Sequence, residues 1–357
     1  MQTKIIGMLA VLVIIGLIIQ FRSFQPFVDQ AIPNAVQEPT NIAPGTLLYY
    51  NAPAAIQMGD TTAIGLIDNT GAIRVIKIDG SGAQTSIMVH QYDRPDDHGA
   101  PAIWADGDKI LLSTAWHSSD LFLYEIDGDG SVALLCSWQG KFSYPRFVER
   151  DGNLRLYVRI EDGIAGHLGY TEITQDCTEP AVLYRAPDAH WIYATADGDA
   201  RWSIWDRTRH GELWAHGIRR GIPPTEYPEI LAWSQAGPAI TAVSFFKDAF
   251  KCCQTGEVEA QILDGGRPIY TTKTAAPYYP TGIVLKNDGA EFLTPTLGQI
   301  TRRSFPEFSD LPSCIADGIN ANGQYVHGGE GSYVFVNWTG PYGQNDFGNA
   351  RVLLCRP

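Results

Sequence analysis

Gly99-Ala-Pro-Ala-Ile-Trp104 is one of seven related stretches that recur at a nearly constant spacing along this chain. The other six are Asn51-Ala-Pro-Ala-Ala-Ile, Ser143-Tyr-Pro-Arg-Phe-Val, Ala189-His-Trp-Ile-Tyr, Ala236-Gly-Pro-Ala-Ile, Tyr278-Tyr-Pro-Thr-Gly-Ile and Gly323-Gln-Tyr-Val. When these stretches are aligned on their third or fourth residue, the successive steps are 48, 44, 47, 46, 42 and 46 residues. The chain is therefore built from repeated units, each long enough for several short strands.

A repeat of this length is typical of the blades of a β-propeller. The second unit shows the pattern within one repeat, with apolar runs at Pro101–Trp104, Lys109–Ala115 and Leu121–Ile126 and an Asp-Gly turn at Asp106–Asp108. Aromatic residues make up 11% of the chain, and 36 Gly and 22 Pro fall mostly between the apolar runs, as strands joined by frequent turns require. We predict an all-β, seven-bladed β-propeller over residues 45–357.

The N-terminus predicts a membrane segment ahead of this domain. Lys4 precedes an apolar run from Ile5 to Phe21, which contains no charged residue, and Arg22 ends it. The run is at the short limit for a spanning helix and longer than most signal-peptide cores. We predict a signal anchor or signal peptide over residues 1–22 and a linker over 23–44. The domain would then be membrane-anchored on the periplasmic or extracellular side, or alternatively secreted.

Cysteine content and charge restrict the compartment and the partners. The six cysteines are Cys136, Cys177, Cys252, Cys253, Cys314 and Cys355. The first two and the last two each lie about one repeat apart, so disulfides between neighbouring units are expected in an oxidising compartment, although six buried thiols remain an alternative. The net charge of -13 argues against nucleic acid as a partner.

Propeller geometry brings polar residues from different units to one mouth. The start of each first strand and the end of each second strand lie on the same face. The first-strand starts supply Asn51, His98, Tyr144, His190 or Tyr193, Tyr279 and Tyr325. The second-strand ends supply Asp68, His117, Arg159, Arg207, Lys247 and Asn337.

Four of these residues carry most of the chemistry. Asp96-Asp97-His98 precedes a first strand, and His117 ends the strand beside it, so the two imidazoles should face each other. Arg159 should lie beside Tyr144, and a buried arginine needs either an acidic partner, such as Glu161 or Asp162, or an anionic ligand. We expect the ligand.

This group suits β-elimination on a uronic acid. The reaction needs a cation for the carboxylate, a base for the adjacent ring proton and an acid for the leaving oxygen. A neighbouring Arg159 lowers the pKa of Tyr144, which makes tyrosine a better base, and His98 or His117 binds the carboxylate or shares the proton transfer. No cofactor is required, and a structural metal is left open.

The runs Asp96-Asp97-His98-Gly-Ala-Pro-Ala-Ile, Trp116-His117-Ser118, Ser143-Tyr144-Pro145 and Tyr157-Val-Arg159 resemble the BNR-repeat-containing propeller family. That family includes the seven-bladed ulvan lyases, polysaccharide lyases that act on sulfated uronate glycans. The resemblance implies an acidic polysaccharide as substrate and a catalytic group of two His, one Tyr, one Arg and a second Tyr. By motif these are His98, His117, Tyr144, Arg159 and Tyr193.

Three other functions remain open. The first is a non-catalytic propeller of the cell envelope that binds glycan or protein. A sialidase would carry Ser-x-Asp-x-Gly-x-Thr-Trp boxes and three arginines, and the sequence shows no such box. A glycoside hydrolase would need two carboxylates about 5–10 Å apart, for which Asp68 and Asp206 are candidates three units apart.

Overall fold

The computed structural model describes residues 38–48, 50–174, 176–186, 190–195, 198–206, 211–215, 218–220, 230–236, 240–246, 256–264, 267–276, 283–286, 289–339 and 347–356. For the strands between residues 190 and 236, it describes the backbone alone. These residues form strands and one 3₁₀ helix, Asp97–Gly99. The predicted all-β class is confirmed.

The strands of the first half of the chain are β1 (Thr40–Pro44), β2 (Ala55–Met58), β3 (Thr61–Ile67), β4 (Ala72–Ile78), β5 (Gln84–Gln91), β6 (Ala102–Asp106), β7 (Lys109–Ala115), β8 (Ser119–Ile126), β9 (Val132–Arg150), β10 (Asn153–Glu161), β11 (Gly166–Glu172), β12 (Ala181–Tyr184) and β13 (His190–Thr195). Those of the second half are β14 (Gly198–Asp206), β15 (Gly211–Ala215), β16 (Ile218–Arg220), β17 (Ile230–Ala236), β18 (Ile240–Phe246), β19 (Gly256–Asp264), β20 (Arg267–Ala276), β21 (Val284–Leu285), β22 (Glu291–Ser304), β23 (Asp310–Leu311), β24 (Ile315–Tyr325), β25 (Tyr333–Trp338) and β26 (Ala350–Cys355).

Sequential antiparallel pairing organises these strands. Two sheets have four strands each, in the orders β2-β3-β4-β5 and β17-β18-β19-β20. A larger sheet runs from β6 to β16, because the long strand β9 pairs with β8 through its first half and with β10 through its second. Among the described strands of that sheet, β11 and β13 pair in parallel, at Gly166 and Trp191. Local hairpins therefore dominate, as the repeated sequence pattern predicts.

Tight Asp-Gly turns make these hairpins possible. Gly107 has a φ of +65° between β6 and β7. Asp151 and Gly152 have φ values of +53° and +77° between β9 and β10. In the loop Asp151-Gly152 both residues have positive φ, and in the loop Gly107-Asp108 the glycine alone does; both forms of two-residue hairpin match the twist of the flanking strands. The turn predicted at Asp106–Asp108 is confirmed.

Burial distinguishes inner from outer strands. All positions of β7 after Lys109 are buried, so this strand is covered on both faces. β5 is mostly exposed and lies at the edge of its sheet. Inner strands carry apolar side chains on both faces because neighbouring sheets pack against them.

The two ends of the described chain meet in one sheet. β1 pairs antiparallel with β26, with Thr40 opposite Leu354 and Pro44 opposite Arg351. The pairing continues to Gly45, whose backbone N–H donates to the Ala350 oxygen at 3.2 Å. Gln324 connects the same ends: its side chain accepts from the backbone of Ala54 at 3.1 Å and donates to the Leu48 oxygen at 3.0 Å.

Two of the predicted disulfides are present. Cys136 in β9 is bonded to Cys177, which follows β11. Cys314 is bonded to Cys355 at the end of β26. The adjacent pair Cys252-Cys253 lies outside the described residues.

The predicted membrane segment also lies outside the described residues, because these begin at position 38. Within the part of the chain that is described, no helix is both long and apolar enough to span a bilayer.

Candidate active site

The turn before β6 fixes His98 between two carboxylates. Asp96 caps the 3₁₀ helix, and its Oδ1 accepts the His98 backbone N–H at 2.9 Å. His98 Nδ1 lies 2.6 Å from Asp96 Oδ1 and 2.8 Å from Asp97 Oδ1. The side chain of Asn51 donates to the His98 backbone oxygen at 3.1 Å. The Asp-Asp-His motif is thus a turn that also orients an imidazole.

The carboxylates determine the charge of His98. Burial of the ring disfavours the protonated form, but the negative charges and hydrogen bonds of Asp97 and Asp96 outweigh it and raise the pKa of His98 to about 9. The His98 side chain is only 7% exposed, so solvent screens these interactions little. At pH 7 His98 is an imidazolium.

His117 lies against His98 and has the opposite protonation state. The two ring centroids are 4.6 Å apart. Neighbouring protein groups partly desolvate the ring, which disfavours its protonated form, and the positive charges of His98 and Arg159 act in the same direction. Together they lower the pKa of His117 to about 4. The residue is exposed, and solvent screens part of these charges. Because its pKa is lowered from the ordinary value of 6.5, His117 is still neutral at pH 7.

Tyr144 occupies the same cluster in an unfavourable backbone conformation. Its φ is +58°, a left-handed value that non-glycine residues rarely adopt. Its ring centroid lies 5.7 Å from that of His98 and 5.2 Å from that of Tyr50. Ser118, next to His117, also has a positive φ of +56°. Backbone strain of this kind collects at functional sites.

Arg159 and Glu161 complete the cluster from β10. The Arg159 Cζ atom lies 4.3 Å from the centroid of the Tyr144 ring. The Arg159 Nε donates to Glu161 Oε1 at 2.9 Å, and the Ser143 hydroxyl donates to the same oxygen at 2.9 Å. Ser118 Oγ donates to Glu161 Oε2. Burial raises the pKa of Glu161, but the charge of Arg159 and these hydrogen bonds outweigh it and lower that pKa.

The Arg159–Glu161 pair corrects one expectation. Arg159 was expected to bind an anionic ligand, yet it is 4% exposed and its guanidinium is paired with a carboxylate. Both residues point to the same side because side chains two apart on a strand share a face. The two-residue spacing of Arg159 and Glu161 in the sequence could therefore have predicted this ion pair in place of an anionic ligand.

The structure brings four of the five predicted catalytic side chains together, namely His98, His117, Tyr144 and Arg159. The fifth, Tyr193, lies in β13, and its side chain is outside the described residues. Its role remains a prediction.

Other side chains predicted for the mouth have local partners. Asp68 binds Arg74 at 2.7 Å and Thr70 at 2.6 Å. Asn337 is buried and donates to the Asp317 oxygen at 2.9 Å. The predicted positions whose side chains fall outside the described residues are His190, Asp206, Arg207, Lys247 and Tyr279.

The Asp96-Asp97-His98 turn also has the residue types of a metal site, and its ligand atoms lie within 4.8 Å of one another. His98 Nδ1 lies close to both carboxylates as a hydrogen-bond donor, and the raised pKa of His98 keeps a proton there at neutral pH. A cation bound there would have to displace that proton. The present geometry therefore fits a charged histidine better than a metal ligand.

The cluster combines groups that proton transfer requires. An exposed neutral imidazole is adjacent to a buried imidazolium, and a tyrosine lies beside both. Two groups of one type whose environments move their pKa values apart can act as acid and base at the same pH.

Comparisons with known proteins show the fold. No protein-family model matches the chain, and no curated protein matches it. The chain is similar in structure to the WD40 β-propeller domain of Doa1, with a TM-score of 0.53 and 9% identity, over 90% of this chain and 97% of that one. It is also similar to an ulvan lyase of polysaccharide lyase family PL25, bound to -[GlcA(1-4)Rha3S]-, with a TM-score of 0.53 and 9% identity over 88% and 94% of the two chains.

A third similar structure is polysaccharide lyase Uly1, with a TM-score of 0.53 and 10% identity over 93% of each chain. At these identities, similarity to a WD40 domain and to two lyases identifies the architecture and no particular activity. The chain is an all-β protein whose structural neighbours are β-propellers.

Proposed function

We propose that this chain is a seven-bladed β-propeller that binds a uronic-acid-containing polysaccharide at the His98 cluster and cleaves it by β-elimination. The observation that supports this most strongly is the pair of imidazoles 4.6 Å apart, one charged and one neutral at pH 7, beside Tyr144. The proposal also fits the two polysaccharide lyases among the structural neighbours.

The residues divide the reaction as follows. Neutral, exposed His117 accepts the proton from C5 of the uronate, and the electron pair of that C–H bond forms the C4=C5 double bond. The C4–O bond breaks, and the Tyr144 hydroxyl protonates the leaving oxygen. The imidazolium of His98 stabilises the negative charge that develops on the carboxylate, and Arg159, paired with Glu161, holds the Tyr144 ring in position.

The two disulfides support a location outside the cytoplasm, because such bonds persist in oxidising compartments. We extend the proposal to a periplasmic or extracellular domain, held at the membrane by residues 1–22 or secreted.

Ultraviolet absorbance of unsaturated uronate tests the activity. The purified protein is incubated with ulvan, alginate and polygalacturonate, and we expect absorbance to rise with at least one of them. His117→Ala and Tyr144→Phe should each lower kcat by about 10²-fold or more, as expected for loss of an acid or base. His90→Gln and Tyr270→Phe, which change residues outside the cluster, serve as matched controls. Full activity in His117→Ala would refute the assignment of the base.

The alternative is a non-catalytic propeller that binds glycan or protein at the same mouth. The pairing of Arg159 with Glu161 favours it, because it occupies the guanidinium that a lyase would direct at the substrate carboxylate. Saturable glycan binding without any new double bond would establish this alternative.

A further inference from the structure

We propose that Arg94, lying on the ring of Trp116, binds an anionic group of the glycan at the edge of the His98 cluster. This inference rests on the proposed binding of an acidic glycan. It adds a solvent-exposed cation to a cluster whose own cations are buried and contact protein carboxylates. The chemistry recognised is a planar or tetrahedral oxyanion, either the uronate carboxylate or a sulfate ester.

The buried cations of the cluster already have protein carboxylates. His98 contacts Asp96 and Asp97, and Arg159 contacts Glu161. Both cations are at least nine-tenths buried, with 5% and 4% exposure. Neither presents an uncompensated positive charge to solvent. A polyanion that approaches the mouth must therefore find its first positive partner elsewhere.

Arg94 meets this requirement. It is exposed, and among the described residues no Asp or Glu lies within ion-pair distance of it. Its guanidinium carbon lies 4.5 Å from the centroid of the Trp116 ring. Stacking on an aromatic face orients a guanidinium while leaving its N–H donors at the edge for an anion.

Trp116 links this cation to the cluster. A Cβ atom placed on Gly99 would come within 3.0 Å of Trp116 Cδ1, so the indole packs directly on the residue that follows His98. The indole Nε1 is buried and has no hydrogen-bond partner among the described residues. Packing and the stacked guanidinium therefore position this ring, and His117 is the next residue along the chain.

Equilibrium binding to three defined glycans tests the inference. Polygalacturonate carries carboxylates only, carrageenan carries sulfate esters only, and dextran is neutral. In wild type we expect salt-dependent binding of at least one anionic glycan and none of dextran. Arg94→Gln should weaken that binding about fivefold to tenfold at low salt, as expected for loss of a charge-assisted contact. Arg94→Lys should restore part of the affinity, because it keeps the charge without the planar fork.

Arg356→Gln is the charge-matched control, because Arg356 is exposed and contacts Thr62 at the start of β3. It should bind as wild type does. The glycan whose affinity falls in Arg94→Gln distinguishes carboxylate from sulfate ester. Unfolding midpoints of the variants, expected to match wild type, exclude a structural effect.

The outcomes separate this inference from the proposed lyase activity. Unchanged affinity in Arg94→Gln overturns the role of Arg94, whether or not wild type forms unsaturated product. Binding lost in Arg94→Gln, in a protein that forms no unsaturated product, supports the anion site and refutes the lyase. Absence of binding to either anionic glycan overturns the anion site at Arg94, and the lyase is overturned separately, by absence of unsaturated product from ulvan, alginate and polygalacturonate.

Discussion

Glu161 shows how one side chain organises the cluster. Its carboxylate accepts hydrogen bonds from Arg159, Ser143 and Ser118, which come from two neighbouring hairpins. Breaking a buried ion pair by removing one partner is costly, because the other charge then lies unpaired in the protein. Glu161 therefore stabilises the cluster in two ways, by its hydrogen bonds to both hairpins and by its negative charge beside Arg159.

Glu161→Gln should destabilise the fold by about 2–4 kcal/mol, since it leaves the Arg159 guanidinium buried without its counter-charge. Urea denaturation measures this change. The matched control is Glu172→Gln on β11, because the Glu172 side chain is 42% exposed and pairs with Arg155 at 3.2 Å. An exposed pair is worth at most about 1 kcal/mol. Equal destabilisation by both variants would contradict the role assigned to Glu161.

The charge on His98 makes stability depend on pH. Its folded-state pKa is about 9, above the ordinary value of 6.5. A raised pKa contributes stability that is fully present below about pH 6.5 and is lost as pH rises through about 9. A shift of this size corresponds to about 3 kcal/mol. We expect wild type, but not His98→Gln, to lose stability over this window in urea unfolding. Parallel curves for the two proteins would contradict a charged His98.

Among the structural elements, β9 connects the two halves of the site. Its first half belongs to the hairpin with β8, which follows His117, and its second half, with Tyr144, pairs with β10. The Cys136–Cys177 disulfide joins the first half of β9 to the segment after β11. The covalent bond therefore fastens two neighbouring hairpins that both supply residues to the cluster.

Replacing Cys136 and Cys177 together by serine should lower stability by about 2–4 kcal/mol, because the bond closes a loop with a sequence separation of 41. Thermal and urea unfolding measure the effect. Replacing Cys314 and Cys355, which are also separated by 41 positions, provides the comparison. The first pair should reduce activity as well, and the second should affect stability alone. Wild-type stability in both double variants would contradict a structural role for these bonds.

Strand positions were accessible from the sequence because periodicity and turn chemistry are local. The runs Pro101–Trp104 and Lys109–Ala115, with the Asp-Gly turn between them, predicted the hairpin that the structure shows as β6 and β7. The charge of His98 depends on the 3₁₀ turn, which brings the carboxylates of the two preceding residues onto its Nδ1, and the sequence alone does not show that backbone geometry.

At the scale of the whole molecule, the account depends on repeated units that surround one mouth. In the described chain, β1 pairs with β26 and Gln324 contacts Ala54, so segments near the two ends of this domain lie together. Such contacts between the first and last units hold together residues that are separated by nearly the full length of the chain. These long-range contacts constrain the positions of the sheets that carry the cluster, which the local hairpins alone would not do.

The structure of His117→Ala with a bound oligogalacturonate tests the central claim most directly, because loss of the proposed base should trap uncleaved substrate. We predict that a uronate ring lies at the exposed side of the cluster, beside position 117 and facing Tyr144, with an anionic group of the oligosaccharide at Arg94. A saccharide bound at another surface, with the His98 cluster sealed from it by side chains, would contradict the account.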